Sequence, residues 1–283
     1  LPQTHAESET PVSALLSGVV VKAGIFPLVR LALLMEEVGW LLSLFAVGTA
    51  IVGVVYAIFE QDTKRLLAAS TLSQMGFVLV APTAAGLYAL THGLAKAALF
   101  LGVGNLPSRQ FQELRRGVLP WWSWLAIAIP ALSISGLPLV GGFAAKTITL
   151  DTLTGWQQIV MNVAAVGTAI AFAKLLFLPI QTKAISVQDN LPKKGKVAAM
   201  WWALLPLVGG LLLANSVYAY TLKSILKALL TLGIGWLIYG LMDRLGIWDQ
   251  LRKFQLPRAV EQLEHLIGIM SLMLVLLFGM ALA

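Results

Sequence analysis

Four basic side chains interrupt apolar stretches of this sequence and are the first candidates for chemistry. They are Lys22 in the run 12–34, His92 and Lys96 in 87–101, and Lys146 after the broken stretch Gly136-Leu-Pro-Leu-Val-Gly-Gly-Phe143. A charged side chain at the centre of a bilayer costs about 2.5–3.5 kcal/mol even on the lenient insertion scale. Three such lysines need an offsetting function, and the chemistry we expect is the movement of protons or ions.

Lys22 has small neighbours on overlapping faces of its predicted helix, namely Ser13, Ser17 and Gly18. Small residues let another helix or water approach an ammonium group closely. The alternative is a lysine that snorkels to the membrane surface, but from mid-span its side chain would have to cover about half of the hydrocarbon core. The pattern therefore favours a functional Lys22 with Ser17 as a supporting polar group.

His92 and Lys96 are four residues apart, so they share one face of a helix, and Thr91 is adjacent. Burial and mutual repulsion both disfavour the charged form of a basic group, which favours proton exchange near neutral pH. A lone histidine is more often a core residue whose hydrogen bonds are satisfied. The pairing with a lysine on the same face indicates a relay instead.

Lys146 follows a Gly/Pro break and precedes Thr147, Thr149 and Asp151. The ends of half-helices carry partial charges and unpaired backbone groups, from which many transporters build ion sites. We expect a functional Lys146 with Thr147 and Asp151 as supporting polar residues; a direct contact between the Asp151 carboxylate and Lys146 is the less favoured alternative. The alternative places Lys146 at the membrane surface, with 143–154 as a re-entrant piece.

Other lysines have simpler interpretations. Lys174 is predicted to snorkel towards a basic loop, and Lys223 and Lys227 are predicted to be interfacial. The pairs Trp121-Trp122 and Trp201-Trp202 open apolar spans, as an interfacial aromatic belt does.

The composition predicts a polytopic membrane protein with an all-α fold. Apolar residues make up 58% of the chain and charged residues 12%, and the mean hydropathy is +0.84. A spanning helix needs about 20 apolar residues, so the 283 residues accommodate roughly eight to ten spans. Cysteine is absent, and the three histidines are far apart. No catalytic site, metal site or cofactor motif is therefore expected.

The high sequence pI of about 9.7 does not indicate nucleic-acid binding, because the basic residues are not clustered with aromatic ones. They fall in the loops 61–65, 105–118, 181–196 and 243–258 between apolar segments, which is the pattern of membrane orientation. The apolar segments are 12–34, 39–59, 66–81, 84–104, 119–136, 143–154, 157–181, 197–220, 222–242 and 259–283.

All four basic loops lie on one side only if 119–154 crosses once. We therefore predict about nine crossings, one of them interrupted between Gly136 and Gly142. The basic loops should face the cytoplasm, with Ala283 outside.

No soluble domain is visible, so we expect a single membrane domain over 1–283, with a core segment 1–181 and C-terminal helices 182–283. The chain opens on Leu1 without a signal peptide. We expect it to be the later part of a longer product or one half of a split one.

A series of motifs resembles the proton-translocating antiporter-like family, which includes complex I subunits and subunits of multisubunit Mrp-type cation/proton antiporters. The motifs are Leu1-Pro-Gln-Thr-His5, Pro11 to Gly24 with Lys22, Gln61-Asp-Thr-Lys-Arg65 with Ser70 and Ser73-Gln-Met-Gly-Phe77, His92-Gly-Leu-Ala-Lys96, and Ser135 to Lys146. They cover residues 1 to about 180 in family order. Family members have several earlier helices, one with a glutamate that pairs with a lysine, and the resemblance here begins at Leu1.

The resemblance implies a proton path. Lys22 would be its central lysine, Lys146 the lysine near its exit, and His92 with Lys96 the connecting relay, with His5 as a supporting polar residue. Phe143-Ala-Ala-Lys146 and the tail 256–265 look most like the D subunit of Mrp-type antiporters.

Three functions remain open from the sequence. The first is a proton-conducting subunit coupled to Na⁺ or another monovalent cation, with no catalytic site of its own, held by other membrane subunits in a lipid bilayer. The second is the equivalent subunit of a complex I type quinone dehydrogenase. The third is a scaffold whose buried lysines only bond neighbouring helices. The expected location is the bacterial plasma membrane, with a thylakoid-type membrane as the alternative.

Overall fold

The computed structural model describes residues 1–181, 201, 218, 220–248, 250, 268, 271–272, 274–276 and 278–279. Within these residues the chain forms a helical bundle. The first helices are α1 Pro2–Glu7, α2 Thr10–Leu15, a π-helix Leu16–Val20, α3 Val21–Leu34, α4 Glu36–Phe59, α5 Thr63–Val80, a 3₁₀ turn Pro82–Ala84 and α6 Ala85–Val103.

The second half of the described bundle is built around an interrupted helix. Its elements are α7 Phe111–Arg116, β1 Leu119–Pro120, α8 Trp121–Ser135, α9 Gly141–Asp151, α10 Gly155–Leu176, β2 Ile180–Gln181 and α11 Leu222–Arg244. The strands β1 and β2 pair in parallel, with Leu119 opposite Ile180 and Pro120 opposite Gln181.

Five of the described helical stretches are long and apolar enough to cross a membrane, and they follow the predicted segments. They are Thr10–Leu34, Gly39–Phe59, Pro82–Val103, Gly155–Leu176 and Leu222–Arg244. The prediction of an all-α transmembrane bundle is confirmed. The segments 197–220 and 259–283 fall largely outside the described residues, so the total of nine crossings stays a prediction.

The basic loops meet at one end of the bundle, which we call the basic end. The Thr63 amide donates to the Arg109 carbonyl at 2.8 Å, and the Leu119 amide donates to the Pro179 carbonyl at 2.8 Å. Arg115 forms an ion pair with Asp243 at 2.9 Å. Loops 61–65 and 105–118 therefore lie together with the beginnings of 181–196 and 243–258, as predicted. Residues 182–200 and most of 249–258 lie outside the described residues.

The opposite end is formed by the turn between α5 and α6 and the turn between α9 and α10. Val80, Ala81 and Ala84 pack in one apolar cluster with Leu150 and Leu153. From α4 to α10, successive crossings therefore run in opposite directions between the two ends.

Helices α8 and α9 together make one crossing. Near the start of α8, the Trp124 indole donates to the Leu176 carbonyl at the end of α10, at 2.9 Å. At the end of α9, the Leu150 carbonyl accepts from Gln158 in the first turns of α10, at 3.2 Å. The pair therefore runs antiparallel to α10 from the basic end to the opposite end, with the predicted interruption between them.

Helix α5 is the centre of the described bundle, since all of its residues except Arg65 and Leu72 are buried. It begins three residues before the predicted apolar segment because the Asp62 carboxylate caps it, accepting from the Arg65 amide at 3.0 Å. Asp62 is held in turn by Arg109 at 3.0 Å. The helix tolerates polar residues because it faces other helices and not lipid.

The sequence analysis did not predict three short elements. α1 lies in the polar stretch 1–10 and α7 in the loop 105–118, where each amphipathic turn is too short to show a period. The π-helix Leu16–Val20 adds a residue to a turn in the middle of the first crossing. No composition signal distinguishes such a turn from an α-helix.

Orientation can be tested with single cysteines, because the chain has none. Ser108→Cys lies at the basic end and Thr154→Cys at the opposite end. We expect an impermeant thiol reagent to label Ser108→Cys from the cytoplasm and Thr154→Cys from outside, because loops rich in Lys and Arg stay inside. Labelling of both from one side would contradict the single crossing of α8 and α9.

Candidate functional site

Lys22 is buried at the middle of the first crossing. It is twelve residues from each end of the span Thr10–Leu34, or about 18 Å along a helix. It is the second residue after the π-helix, and its Nζ donates to the Ser17 carbonyl in that turn. π-turns occur frequently at functional sites, where they redirect side chains.

The Lys22 side chain packs against α6 where two glycines bring the backbones together. A Cβ on Gly93 would lie 2.6 Å from the Gly18 carbonyl oxygen and 3.6 Å from Lys22 Cε. The predicted small residue Gly18 therefore allows the π-helix to touch α6. Lys22 is placed beside the turn of α6 that carries both His92 and Lys96.

Lys96 is fully buried, with no exposed surface. Its Nζ donates to the Leu67 carbonyl at 2.7 Å and to the Ser70 hydroxyl, both on α5. The Phe172 ring lies 5.3 Å from the same nitrogen. The charge therefore faces carbonyl, hydroxyl and aromatic groups.

Two hydroxyls and two main-chain carbonyls lie between the ammonium groups of Lys22 and Lys96. Ser17 Oγ and Thr71 Oγ1 share a hydrogen bond of 2.9 Å, and Thr71 also donates to the Leu67 carbonyl at 2.9 Å. That carbonyl is the acceptor for Lys96. Because hydroxyls both donate and accept, the contacts form a polar connection between the two lysines.

His92 is buried within electrostatic range of Lys22, Lys96 and Lys146. Neither ring nitrogen has a hydrogen-bond partner among the described residues. Thr91, predicted to support it, instead donates to the Leu87 carbonyl of its own helix at 3.0 Å. His92 is thus a central imidazole whose donor and acceptor atoms are both uncommitted within the described part of the chain.

His5 is fully buried and stacks on Phe100, with ring centroids 4.6 Å apart. It lies near the basic end, since the adjacent Ala6 carbonyl accepts from Arg109 at 2.8 Å. Phe100 lies one helical turn from Lys96 on α6. His5 therefore lies between the basic end and Lys96.

Lys146 lies at the break between α8 and α9. α8 ends at Gly136, whose φ of +89° is a left-handed conformation that glycine adopts without strain. Lys146 Nζ donates to the Ile134 carbonyl at 2.9 Å, and the Ser133 hydroxyl accepts from the Gly142 amide at 3.0 Å. The last turn of α8 and the first turns of α9 therefore overlap side by side.

The two predicted partners of Lys146 behave differently. Thr147 is buried and lines the same small cavity as Lys146. Asp151 is exposed, and its carboxylate lies 3.6 Å from Lys227 on α11. The less favoured contact between the Asp151 carboxylate and Lys146 is not formed, because five residues along a helix rotate the side chain about 140° away from the first.

Lys174 also departs from its sequence interpretation. It is buried and donates to the Ile58 carbonyl at 3.0 Å and to the Glu60 carbonyl at the end of α4. The Phe111 ring covers it, with the centroid 4.9 Å from Nζ. It stabilises the C-terminal carbonyls of α4 and does not snorkel.

The sequence analysis missed a second buried polar group. The Tyr88 hydroxyl donates to Gln74 Oε1 at 2.6 Å, and Gln74 Nε2 donates to Thr168 Oγ1 at 3.3 Å. Gln74 is one helical turn from Ser70 and from Thr71 on α5. The spacing of these three polar residues is the signal that would have found them.

Lys22, Lys96 and Lys146 share one electrostatic property. Within the described ranges, none of them forms an ion pair with a carboxylate. Each is held by a main-chain carbonyl: that of Ser17, Leu67 or Ile134. A buried ammonium group without an acidic partner is costly. An ion pair would stabilise the charged form of each lysine and oppose loss of its proton, and these lysines have no such opposition from a described carboxylate.

A family model described as "NADH:quinone oxidoreductase/Mrp antiporter, TM" matches residues 1–171, which is more than half of the chain. The match contains all four of the basic residues with which the sequence analysis began.

Three curated relatives agree with this match. Hydrogenase-4 component B of Escherichia coli (strain K12) is 34% identical over 56% of this chain and 28% of its own length. A probable K(+)/H(+) antiporter subunit of Rhizobium meliloti (strain 1021) is 29% identical over 81% of this chain and 26% of its own length. NADH-ubiquinone oxidoreductase chain 5 of Halichoerus grypus is 32% identical over 66% of this chain and 35% of its own length. The chain thus spans between 26% and 35% of these relatives.

A solved structure has the same fold. A chain in the Mrp complex from Dietzia sp. DQ12-45-1b superposes with a TM-score of 0.68 at 23% identity, over 100% of this chain and 38% of that one.

The close contact of Gly93 with the π-helix gives a stability prediction. Gly93→Ala should lower the stability of the assembled protein by about 1–3 kcal/mol, because its Cβ meets the Gly18 carbonyl. Gly86→Ala on the same helix is the matched control, since a Cβ there meets nothing within 4 Å. Thermal unfolding of the purified protein measures both, and equal melting temperatures would contradict the packing described.

Proposed function

Because the chain belongs to the NADH:quinone oxidoreductase/Mrp antiporter transmembrane family, we propose that it is a proton-conducting subunit of a multisubunit cation/proton antiporter. The observation that carries this proposal is the set of three buried lysines held by carbonyls and without an acidic partner in the described part of the chain. A buried lysine readily changes its protonation state, as arginine cannot. Each amine is thus suited to take up and release a proton.

The geometry suggests an order for the relay. Protons entering at the basic end would pass His5 and reach Lys96. From there Thr71 and Ser17 would lead to Lys22, since Thr71 bonds both the Leu67 carbonyl, which also accepts from Lys96, and the Ser17 hydroxyl, and Lys22 bonds the Ser17 carbonyl. His92 would link these lysines to Lys146, since it lies on α6 beside the Gly93 that contacts Lys22, and α6 packs against α9, which carries Lys146.

Electrostatic repulsion would couple the steps of the relay. A proton on one lysine disfavours a proton on the next, so that loading one site promotes release from its neighbour. The absence of compensating carboxylates around the three lysines, within the described residues, leaves this repulsion unscreened.

The antiporter assignment rests on how much of the chain is aligned. The Rhizobium meliloti protein, whose name describes part of a K(+)/H(+) antiporter, aligns with 81% of this chain, and the Mrp complex superposes over all of it. We assign Na⁺ as the coupled cation and make this chain the counterpart of the D subunit. Both assignments rest on the motif Phe143-Ala-Ala-Lys146 and on the tail 256–265. Other membrane subunits are the partners, and the bacterial plasma membrane is the location.

A subunit of a complex I type quinone dehydrogenase is the second candidate, favoured by the similarity to NADH-ubiquinone oxidoreductase chain 5. The same proton path would then be driven by redox chemistry in other subunits. The two functions differ in their driving force. Proton movement in vesicles would follow an imposed cation gradient in the first and quinone reduction in the second.

The proposal predicts that Lys22→Ala lowers cation-dependent proton movement in everted vesicles on the order of a hundredfold, which is the contribution of a positioned proton donor. Assembly should be unchanged, because within the described residues the Lys22 ammonium bonds one main-chain carbonyl. Lys223→Ala on the exposed face of α11 is the matched control and should transport normally.

Lys22→Met separates the relay from a scaffold. A scaffold tolerates the isosteric methionine if the complex assembles, whereas a relay does not. Normal transport by either Lys22 variant at a normal protein level would remove Lys22 from the mechanism.

A further inference from the structure

Two of the three buried lysines face the ring of a phenylalanine on a neighbouring helix. Lys146 Nζ on α9 lies 5.3 Å from the centroid of the Phe77 ring on α5. Lys96 Nζ on α6 lies 5.3 Å from the centroid of the Phe172 ring on α10. Both distances are within the roughly 6 Å over which the negative face of an aromatic ring attracts a cation. Both rings are fully buried, so little water screens this attraction.

The Phe77 ring is held in place by the second buried polar group. The Tyr88 ring on α6 stacks on it, with centroids 5.8 Å apart and an interplanar angle of 13°. The Tyr88 hydroxyl donates to Gln74 at 2.6 Å, and Gln74 donates to Thr168 on α10 at 3.3 Å. A buried tyrosine usually finds such a partner for its hydroxyl. Hydrogen bonds between α5, α6 and α10 therefore fix the surroundings of the ring that Lys146 faces.

The Phe172 ring is fixed by close packing. It belongs to the apolar cluster that also contains Leu67, Leu99 and Leu175, and these side chains have no exposed surface. A ring in such a dense cluster has little freedom to turn away from a neighbouring charge. The ring therefore supplies the apolar side of the surroundings of Lys96, opposite the carbonyl and hydroxyl that accept its hydrogen bonds.

A phenyl ring differs from a carboxylate in what it does to a proton. Both attract an ammonium group, but a carboxylate also accepts a proton and holds a charged lysine in an ion pair. A phenyl ring has no atom that takes the proton, and it attracts the cation less strongly. The residues that the structure describes place no carboxylate in an ion pair with Lys96 or Lys146. Each ring therefore attracts the ammonium group without competing for its proton.

We propose that Phe77 and Phe172 are positioning residues of the relay, which hold the ammonium groups of Lys146 and Lys96 in place of an acidic partner. The inference rests on the proposed proton-conducting function and extends it to two residues that exchange no protons themselves. An uncompensated charge at membrane depth is costly. The rings offset part of this cost, so that each amine can load a proton and still pass it on.

Fluorination of the ring tests the interaction at nearly constant volume. Replacing Phe77 by mono-, di- and trifluorophenylalanine in the assembled complex weakens the negative face of the ring step by step. We expect the apparent melting temperature to fall with each fluorine, by up to about 4 °C, which is the loss of a desolvated cation–π contact in a protein of this size. In the Lys146→Met background, which removes the charge but keeps an unbranched side chain, the same series should be flat.

Matched series separate this effect from fluorine itself. Phe45 on α4 packs against Leu41 and Leu42 and faces no ammonium group within the described ranges. Its fluorinated series should leave the melting temperature unchanged. The Phe172 series should fall step by step in the parent and be flat in the Lys96→Met background.

A second pair of variants serves if the fluorinated complexes do not assemble. Phe77→Leu removes the ring, and its cost includes a packing term that does not depend on charge. Comparing Phe77→Leu in the parent with Phe77→Leu in the Lys146→Met background cancels that term. The fall in melting temperature should be about 4 °C larger in the parent.

Transport measures the role of the rings in the relay. Cation-driven proton transport should slow several-fold over the Phe77 series and stay at the parent rate over the Phe45 series. Equal melting-temperature slopes in the parent and in Lys146→Met would overturn the proposal. So would a parent transport rate throughout the Phe77 series in a complex that Lys22→Ala inactivates. The melting temperatures do not depend on transport, so a complex that melts as expected but transports normally without Lys22 would reject only the proposed function.

Discussion

The structure depends on the burial of three lysine side chains without acidic partners in its described part. Because a carboxylate does not neutralise them, their Nζ atoms need oxygen acceptors from backbone and hydroxyl groups. Irregular helices supply two of those acceptors. The Ser17 carbonyl belongs to a π-turn, and the Ile134 carbonyl lies in the last turn of α8, where helix carbonyls lack intrahelical partners.

Helix α5 provides the third acceptor and organises the rest of the bundle. The Leu67 carbonyl accepts from Lys96, Thr71 and Ser70 together. Such a polar helix is tolerated because other helices enclose it almost completely, so its hydroxyl and amide side chains bond to protein and not to lipid. The proposed proton path and the structural centre of the described bundle therefore share this helix.

Much of this architecture is visible in the sequence. The long apolar segments predicted the described spans, and the distribution of basic loops predicted that α8 and α9 form one crossing. The candidate lysines could be chosen because a charge in an apolar run is conspicuous. Their burial and their neighbours on other helices follow from packing.

What the sequence did not reveal depends on contacts between distant segments. Thr71 and Gln74 look like ordinary polar residues until α5 is known to be central. Lys174 and Lys227 resemble interfacial lysines, yet one caps α4 and the other lines a cavity beside Lys146. The pairing of Asp151 with Lys227 depends on where α11 lies, which spacing along α9 does not indicate.

The proposed function requires these amines to change their protonation state, and Lys146 offers the sharpest test because it also has a structural role at the break. Its hydrogen bond to the Ile134 carbonyl could be made by arginine as well. Arginine stays protonated in proteins, whereas desolvation makes it easier for a lysine to release its proton. The measurement is cation-driven proton transport by fully assembled complexes carrying Lys146→Arg or Lys146→Ala. The account predicts that Lys146→Arg transports almost as poorly as Lys146→Ala, and transport at the parent rate by the arginine variant would contradict it.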